Sequence, residues 1–487
     1  MRSLQRLALA AAPCAFAAAC ALGAHRTPDV RLPAAYEAPP GAPLKEAALD
    51  RWWLLFADPE LNALEDQAFR LAPDAKTAAA RLLEARATWE SEVASLLPTG
   101  GLSGKVNRES AANLAGQSNQ LFPIGGVTDT ETLNFNVSWE LDLFGRLRTQ
   151  YKTAGANFAA TRFDIEGERA SLAASVADDY FQARGLAIQL DDANTNDAIA
   201  HELADLALRK ASLGLGAASD ADRAEADAEV ARAQAVDLAA QLQAAKRSLL
   251  ILVGRGIDPT SSVAAAAWAP DPPALPAALP GELLTRRPDV REAQAKLTAE
   301  IGTQRLQHLA VFPTFTIQPG LGLSRTTAPG VAFIPPATLI PQQQTTSLGF
   351  WSLGLAATQP ILDIPRLMAT ARAEDARTEE AVIAYEKTVQ TAYGEAENDL
   401  AGMAADKRRL AILTDAEARA HRAYVAARER YARGLDDLTS ALTAEEAWRN
   451  TRSTLTGARV AALRRAVQTY KALGGGWAYT APETRGS

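Results

Sequence analysis

The chain has 487 residues, 22% charged and 48% hydrophobic, with a net charge of −7 at pH 7. That balance excludes a disordered chain, and the acidic total argues against the basic face that nucleic acid demands, so no nucleic-acid partner is expected. Beyond the N-terminus no apolar run reaches the roughly 18 residues a spanning helix needs.

In chain order, Arg2 and Arg6 precede an apolar run, Leu7 to Ala19, too short to span a bilayer and typical of a secretory signal. Its end, AFAAAC, places three small residues before Cys20 and resembles the lipobox of bacterial lipoprotein precursors, although Ala17 stands where that pattern prefers Leu. Residues 1–19 then form a signal peptide and Cys20 carries a covalent lipid. The alternative is a plain signal cleaved after Ala17-Ala18-Ala19, which leaves Cys20 as a free thiol. Cys14 falls in the removed part, so the mature chain keeps one cysteine and forms no internal disulfide. Residues 20–58 read as a lipid-anchored extended segment, Pro-rich to about Pro43.

Residues 59–254 form a first structural repeat. Asp58-Pro59 caps a helix through Leu61, Leu64 and Phe69, and a second helix runs from Asp74 to Leu97. A hairpin follows, with strands Gly101–Val106 and Leu133–Leu141 around a polar loop, Asn107–Asp129. In the second strand Leu133, Phe135, Val137, Trp139 and Leu141 alternate with Asn134, Asn136, Ser138, Glu140 and Asp142, the period of a two-faced strand. After Gly145 and Arg146 the pattern changes to roughly sixty proline-free residues, a helix on the order of 90 Å long. Phe158, Ile165 and Leu172 recur every seven residues with Val176 and Tyr180 continuing the seam, as in a coiled coil. Gly214-Leu-Gly216 turns the chain back into an antiparallel helix, Ala221–Leu252.

The same order recurs after a Pro- and Ala-rich linker, residues 255–280. Placing Arg366 on Arg146 sets an offset of 220 residues, which also puts Gly434 on Gly214, Ala444-Glu445 on Ala224-Glu225 and Leu473-Gly474 on Val253-Gly254. Upstream, Pro288-Asp289 falls on Pro73-Asp74 and Pro313 on Pro98 at an offset of 215. Residues 281–477 are therefore a second copy of the first repeat. Its hairpin has strands Thr314–Leu323 and Ser347–Gln359 around a loop holding Pro329, Pro335, Pro336 and Pro341. Its helices run from Pro365 and Arg366 to Gly434 and back to Leu473. A polar tail, residues 478–487, ends the chain.

The fold class is thus mostly α, with long coiled-coil hairpins and four strands. Transmembrane strands need about 9–11 residues with alternating faces, which the better-defined strands meet. Four strands cannot close a barrel, and an open edge in lipid leaves backbone groups unpaired, so several chains must contribute to one barrel. A soluble sheet wetted on its polar face is the alternative.

Four motifs, SWELDLFGRLR, its echo QPILDIPRLM, the RRPDV of Arg286–Val290 and the YKALGGGW of Tyr470–Trp477, resemble the outer-membrane factor proteins of the TolC and OprM type, in their lipoprotein branch. One departure is Pro365, where the family's second copy more often has Gly. The resemblance covers nearly the whole mature chain. It implies a homotrimer whose three sets of four strands close a twelve-stranded barrel in outer-membrane lipid, with helices continuing as a periplasmic tunnel. It further implies that drugs or other toxic small molecules arrive from an inner-membrane pump through a periplasmic adaptor (membrane fusion protein). The alternatives are a periplasmic coiled-coil lipoprotein without a channel, or a conduit for exported protein.

The inner end of such a tunnel falls at the turns of Gly214 and Gly434. The family's Gly, apolar, acid pattern matches Gly434, Leu435 and Asp436, making Arg433, Asp436 and Asp437 the candidate gate; a solvated turn with ordinary surface charges is the competing reading. Asp220 and Asp222 in the first turn are weaker candidates. Enzymatic chemistry has no footing. His25, His201, His308 and His421 are scattered without zinc spacing, so no metal or other cofactor is expected. Gly101-Leu-Ser-Gly-Lys105 lacks the first Gly and the final Ser or Thr of a phosphate loop, and no Gly-x-Ser-x-Gly elbow occurs.

Overall fold

The computed structural model describes residues 25–39, 41–43, 49–111, 126–277, 279–335 and 338–476. Its main elements are helices α1 (Pro59–Leu71) and α2 (Pro73–Ala94), strands β1 (Thr99–Ala111) and β2 (Gly126–Leu141), and helices α3 (Arg146–Ser212) and α4 (Ala218–Leu252). The second copy supplies α5 (Pro288–Leu309), β3 (Thr314–Ile334), β4 (Thr338–Thr358), α6 (Ile364–Ala432) and α7 (Leu438–Ala472). The chain forms two compact units. One comprises Arg86–Phe158 and Lys296–Ala381 with Arg26; the other holds Thr27–Ala85, Ala159–Ala295 and the chain from Val382.

The first unit is built on one antiparallel sheet of order β1-β2-β3-β4. Register places Leu102, Phe135, Leu321 and Trp351 in one row, and Trp139, Ile317 and Leu355 in another on the same face. The opposite face carries rows such as Gly101, Asn136, Gly320 and Ser352. The apolar face is bare: Leu353 is 69% and Leu355 72% exposed. From Leu133 to Leu141 this band runs about 27 Å along the strand, which a tilt of about 40° turns into roughly 20 Å of depth, most of the ~25 Å apolar band of a membrane barrel. Phe350 is an exception on the polar face. Its ring lies over Gly322, where any Cβ would sit 2.2 Å from the ring.

The strands are longer than their sequence pattern suggests. Asn107–Ala111 and Gly126–Asp129, read as loop, are paired, and so are Pro329 and Pro341. Proline lacks only the donor, and that loss is tolerated where no neighbour needs it. Pro341 lies on the edge strand, and past Thr327 β3 has no described partner on its β2 side. Pro319 sits where the β2–β3 ladder is interrupted between Gly320 and Ile317.

The second unit has a core in which Trp52, Trp53 and Phe56 pack with Leu61, Tyr180, Phe181, Leu249, Leu250 and Tyr470. Residues 52–56 form a 3-10 helix, so the extended N-terminal segment ends before them, because three large apolar side chains in five residues are drawn into the core. Asp58 caps α1, accepting from Glu60 N and Leu61 N, and pairs with buried Arg184 at 2.9 Å. Further upstream the Pro-rich segment is docked on α6. Asp29 N donates to Glu386, Glu37 N and Ala38 N donate to Glu397, and Tyr36 stacks on Tyr393. Ile165 and Leu172 are buried, as the heptad seam predicts. Towards the turn, α3 and α4 meet through small residues, Ala200 with Ala228 and Ala231. Among the described residues no helix is long and apolar enough to cross a membrane.

Candidate functional site

Two places collect the residues that the sequence singles out. The first is the strand–helix junction. Gly145 adopts φ +78°, a conformation that favours glycine, and so redirects the chain out of β2. Asp142 then caps α3, its two carboxylate oxygens accepting from Leu147 N and Arg148 N at 2.9 Å each. Arg146 grips Glu140 with a two-pronged ion pair, its Nε donating to Oε1 at 2.8 Å and Nη2 to Oε2. Glu140 belongs to the polar row of the sheet, so this pair lies on the polar side. In the second copy Pro365 is the second residue of α6, where its missing N–H is harmless. Arg366 there pairs with Asp363 at 3.5 Å, and both side chains are exposed.

The second place is the pair of helical turns in the second unit. Gly214 (φ +72°) and Gly434 (φ +71°) end α3 and α6 in the same way: Leu215 N donates to Lys210 O, and Leu435 N to Arg430 O. The repeat therefore extends to single hydrogen bonds. Of the three candidate gate residues, Asp437 is the N-cap of α7, accepting from Ser440 N at 2.8 Å, and that bond holds its carboxyl below the usual range. Asp436 lies 3.5 Å from Arg430, and Arg433 lies 3.5 Å from Glu429 on its own helix. The first turn lacks the cap, because Ala217 occupies the N-cap position of α4. Asp220 lies in that helix's first turn.

The turns hold cross-links that sequence reading missed. Lys210 donates to the Tyr431 carbonyl, and Arg428 pairs with Glu202, each joining α3 to α6. No spacing rule points to partners more than 200 residues apart. The RRPDV motif proves to be a clamp: Arg286 pairs with Asp50, while Arg287 reaches Asp289, Glu395 and the carbonyl of Ala472. A different surprise is Glu65, completely buried in the core without a partner for either carboxylate oxygen among the described residues. Burial, with Asp66 beside it, pushes its carboxyl well above the ordinary range. Cys20 lies outside the described residues, and no group of three or more His, Cys, Asp or Glu suited to a metal occurs among them.

Among the described residues the sheet has a bare apolar band and an open edge on each side, and its strands run on into long helices, the features a subunit of a membrane conduit requires. Residues 64–255 and 279–475, the two repeats, match the outer membrane efflux protein family, and the chain belongs to that family. It is 29% identical to the pyoverdine export outer membrane protein OpmQ of Pseudomonas putida over 475 residues, covering 95% of this chain and 96% of the relative. It is 27% identical to the probable efflux pump outer membrane protein TtgC of the same species, covering 93% and 92%. The outer-membrane channel OprN superposes with a TM-score of 0.79 at 27% identity, over 93% of this chain and 98% of that one. VceC of Vibrio cholerae, at 22% identity and a TM-score of 0.76, covers 88% and 99% and shares the fold. The protein is thus an outer-membrane efflux channel without enzymatic activity.

Proposed function

We propose that three copies of this chain form the exit duct of a tripartite efflux system, closing one twelve-stranded barrel and passing small organic compounds outward. The observation that carries this reading is the sheet itself, which exposes an apolar band on one face, a polar surface on the other and two edges without a partner among the described residues. Four strands per copy and three copies satisfy every edge, which lipid requires. The relatives' names, pyoverdine export for OpmQ and efflux pump for TtgC, support small-molecule cargo delivered by an inner-membrane pump through a periplasmic adaptor. They lend no support to a periplasmic scaffold or a protein-export conduit.

In this reading Cys20 carries the lipid, and Arg433, Asp436 and Asp437 close the periplasmic end. Three copies bring six carboxylates together, a ring that favours cations and stays compact only through partners such as Arg430. Deleting the gene and profiling sensitivity to a panel of toxic compounds tests the role. Increased sensitivity is expected, and an unchanged profile contradicts the proposal. For the gate, Asp436→Ala with Asp437→Ala is expected to change single-channel conductance and cation preference; unchanged values contradict the assignment. Labelled palmitate incorporation that persists in Cys20→Ser removes the anchor.

A further inference from the structure

We infer that the outward face of the first two turns of α3 and the first three of α6 is a docking surface for anionic phospholipid headgroups in the periplasmic leaflet. The inference rests on the reading of the attached sheet as membrane-spanning. Which side of α3 faces lipid follows from two contacts. Arg146 is held by Glu140 on the polar face of the sheet. On the other face Phe144 stacks on Phe312 at 4.9 Å and lies 6.4 Å from Phe315, which shares the apolar row of Leu141. At about 100° per residue, Arg148 and Lys152 stand roughly 200° and 240° around the helix from Arg146, on the lipid side.

Both side chains are exposed, as is Tyr151 between them. The offset of 220 residues places Arg372, also exposed, on Lys152, so both copies present a cation at the same height. Among the described residues no carboxylate pairs with Arg148, Lys152 or Arg372. The acids of the junction are engaged elsewhere, Glu140 by Arg146, Asp142 by the cap and Asp363 by Arg366. Exposed Met368 lies one turn before Arg372, whose Nε donates to its carbonyl, and offers apolar contact to acyl chains. Along the helix Arg148 and Lys152 fall about 3 and 9 Å past Arg146. A headgroup layer is about 5–8 Å deep, and the flexible stems of Lys and Arg bridge the remainder. Each such cation biases binding towards anionic lipid on the order of fivefold.

The test uses the full-length protein, depleted of lipid in detergent and offered equimolar phosphatidylglycerol and phosphatidylethanolamine, with bound lipid read by native mass spectrometry. The wild type is expected to retain phosphatidylglycerol severalfold over phosphatidylethanolamine. The triple variant Arg148→Gln, Lys152→Gln, Arg372→Gln is expected to lose that preference, while Arg408→Gln with Arg409→Gln, farther along α6, keeps it. Equal retention of both lipids by the wild type, or a preference that survives the triple variant, overturns the inference. Displacement of phosphatidylglycerol by millimolar inorganic phosphate also overturns it, since the site then selects free phosphate. Should the triple variant not assemble, Lys152→Gln alone is expected to lower the preference severalfold, and no change overturns the inference. Conductance of the same wild-type preparation in planar bilayers separates the two questions: a conducting channel without lipid preference defeats only the docking surface, whereas a non-conducting one defeats the channel reading.

Discussion

Lys210 places its Nζ 3.8 Å from the centre of the Tyr431 ring and donates a hydrogen bond to the Tyr431 carbonyl, tying the end of α3 to the end of α6. The first helical hairpin is thereby latched to the second within one copy, at the turns where the tunnel is proposed to close. A partly desolvated cation–π contact contributes about 1–2 kcal/mol. Lys210→Met is expected to loosen the latch and raise mean single-channel conductance. Tyr431→Leu is expected to do so less, because its carbonyl remains. The two changes touch one contact, so their effects are expected not to add. Equal conductance in all variants would show that the latch bears no load in closure.

Glu65 makes stability depend on pH. The folded state holds this carboxyl protonated well above its unfolded value, so between those two values the native chain binds more protons than the unfolded one. Its contribution is complete below the unfolded value and is lost as pH rises towards the folded one, with a slope of at most about 1.4 kcal/mol per pH unit. Thermal unfolding in detergent is expected to fall with rising pH above about 5 in the wild type. Glu65→Gln is expected to flatten that dependence and Glu65→Leu to raise the melting temperature at pH 8. A Glu65→Gln profile parallel to the wild type would place the titration elsewhere.

The junction ion pair carries a separate prediction. Glu140→Ala leaves half-buried Arg146 without its two-pronged partner, a loss of about 1.5–3 kcal/mol for a charged hydrogen-bonded group. The oligomer on semi-native gels is expected to dissociate at lower temperature in Glu140→Ala. Asp363→Ala is expected to change little, since its partner is exposed and 3.5 Å away. Equal loss in both variants would contradict the assigned difference between the two junctions.

Asp437 has a capping role that can be separated from any role of its charge. Asp437→Ser keeps an N-cap, whereas Asp437→Ala loses it and weakens the first turn of α7. If the charge holds the gate, both substitutions alter cation selectivity and only the alanine lowers stability. Wild-type selectivity in Asp437→Ser would reduce this residue to a cap.

What the sequence reveals here is what short-range chemistry dictates. Alternation from Leu133 to Leu141 marks a two-faced strand, and the glycines at 214 and 434 mark identical turns because a positive φ favours that residue. Extent was harder to read: Pro329 and Pro341 look like loop residues, yet Pro341 lies on the edge strand and Pro329 lies past the last described pair with β2, where a missing donor breaks no described bond. Long-range pairing left no local trace. The N-terminal segment meets α6 through residues 353–360 positions away, and its prolines suggest a free tail while its backbone donors already have glutamates waiting. Glu65 was hidden because a single acid among Leu61, Leu64 and Ala68 looks like the polar face of a surface helix.

The central claim is that separate copies complete one barrel. Light scattering on the detergent-extracted protein, with bound detergent subtracted, tests it most directly. A particle of three chains that aggregates when detergent is withdrawn is the predicted result; a single chain that stays monodisperse in plain buffer would contradict it.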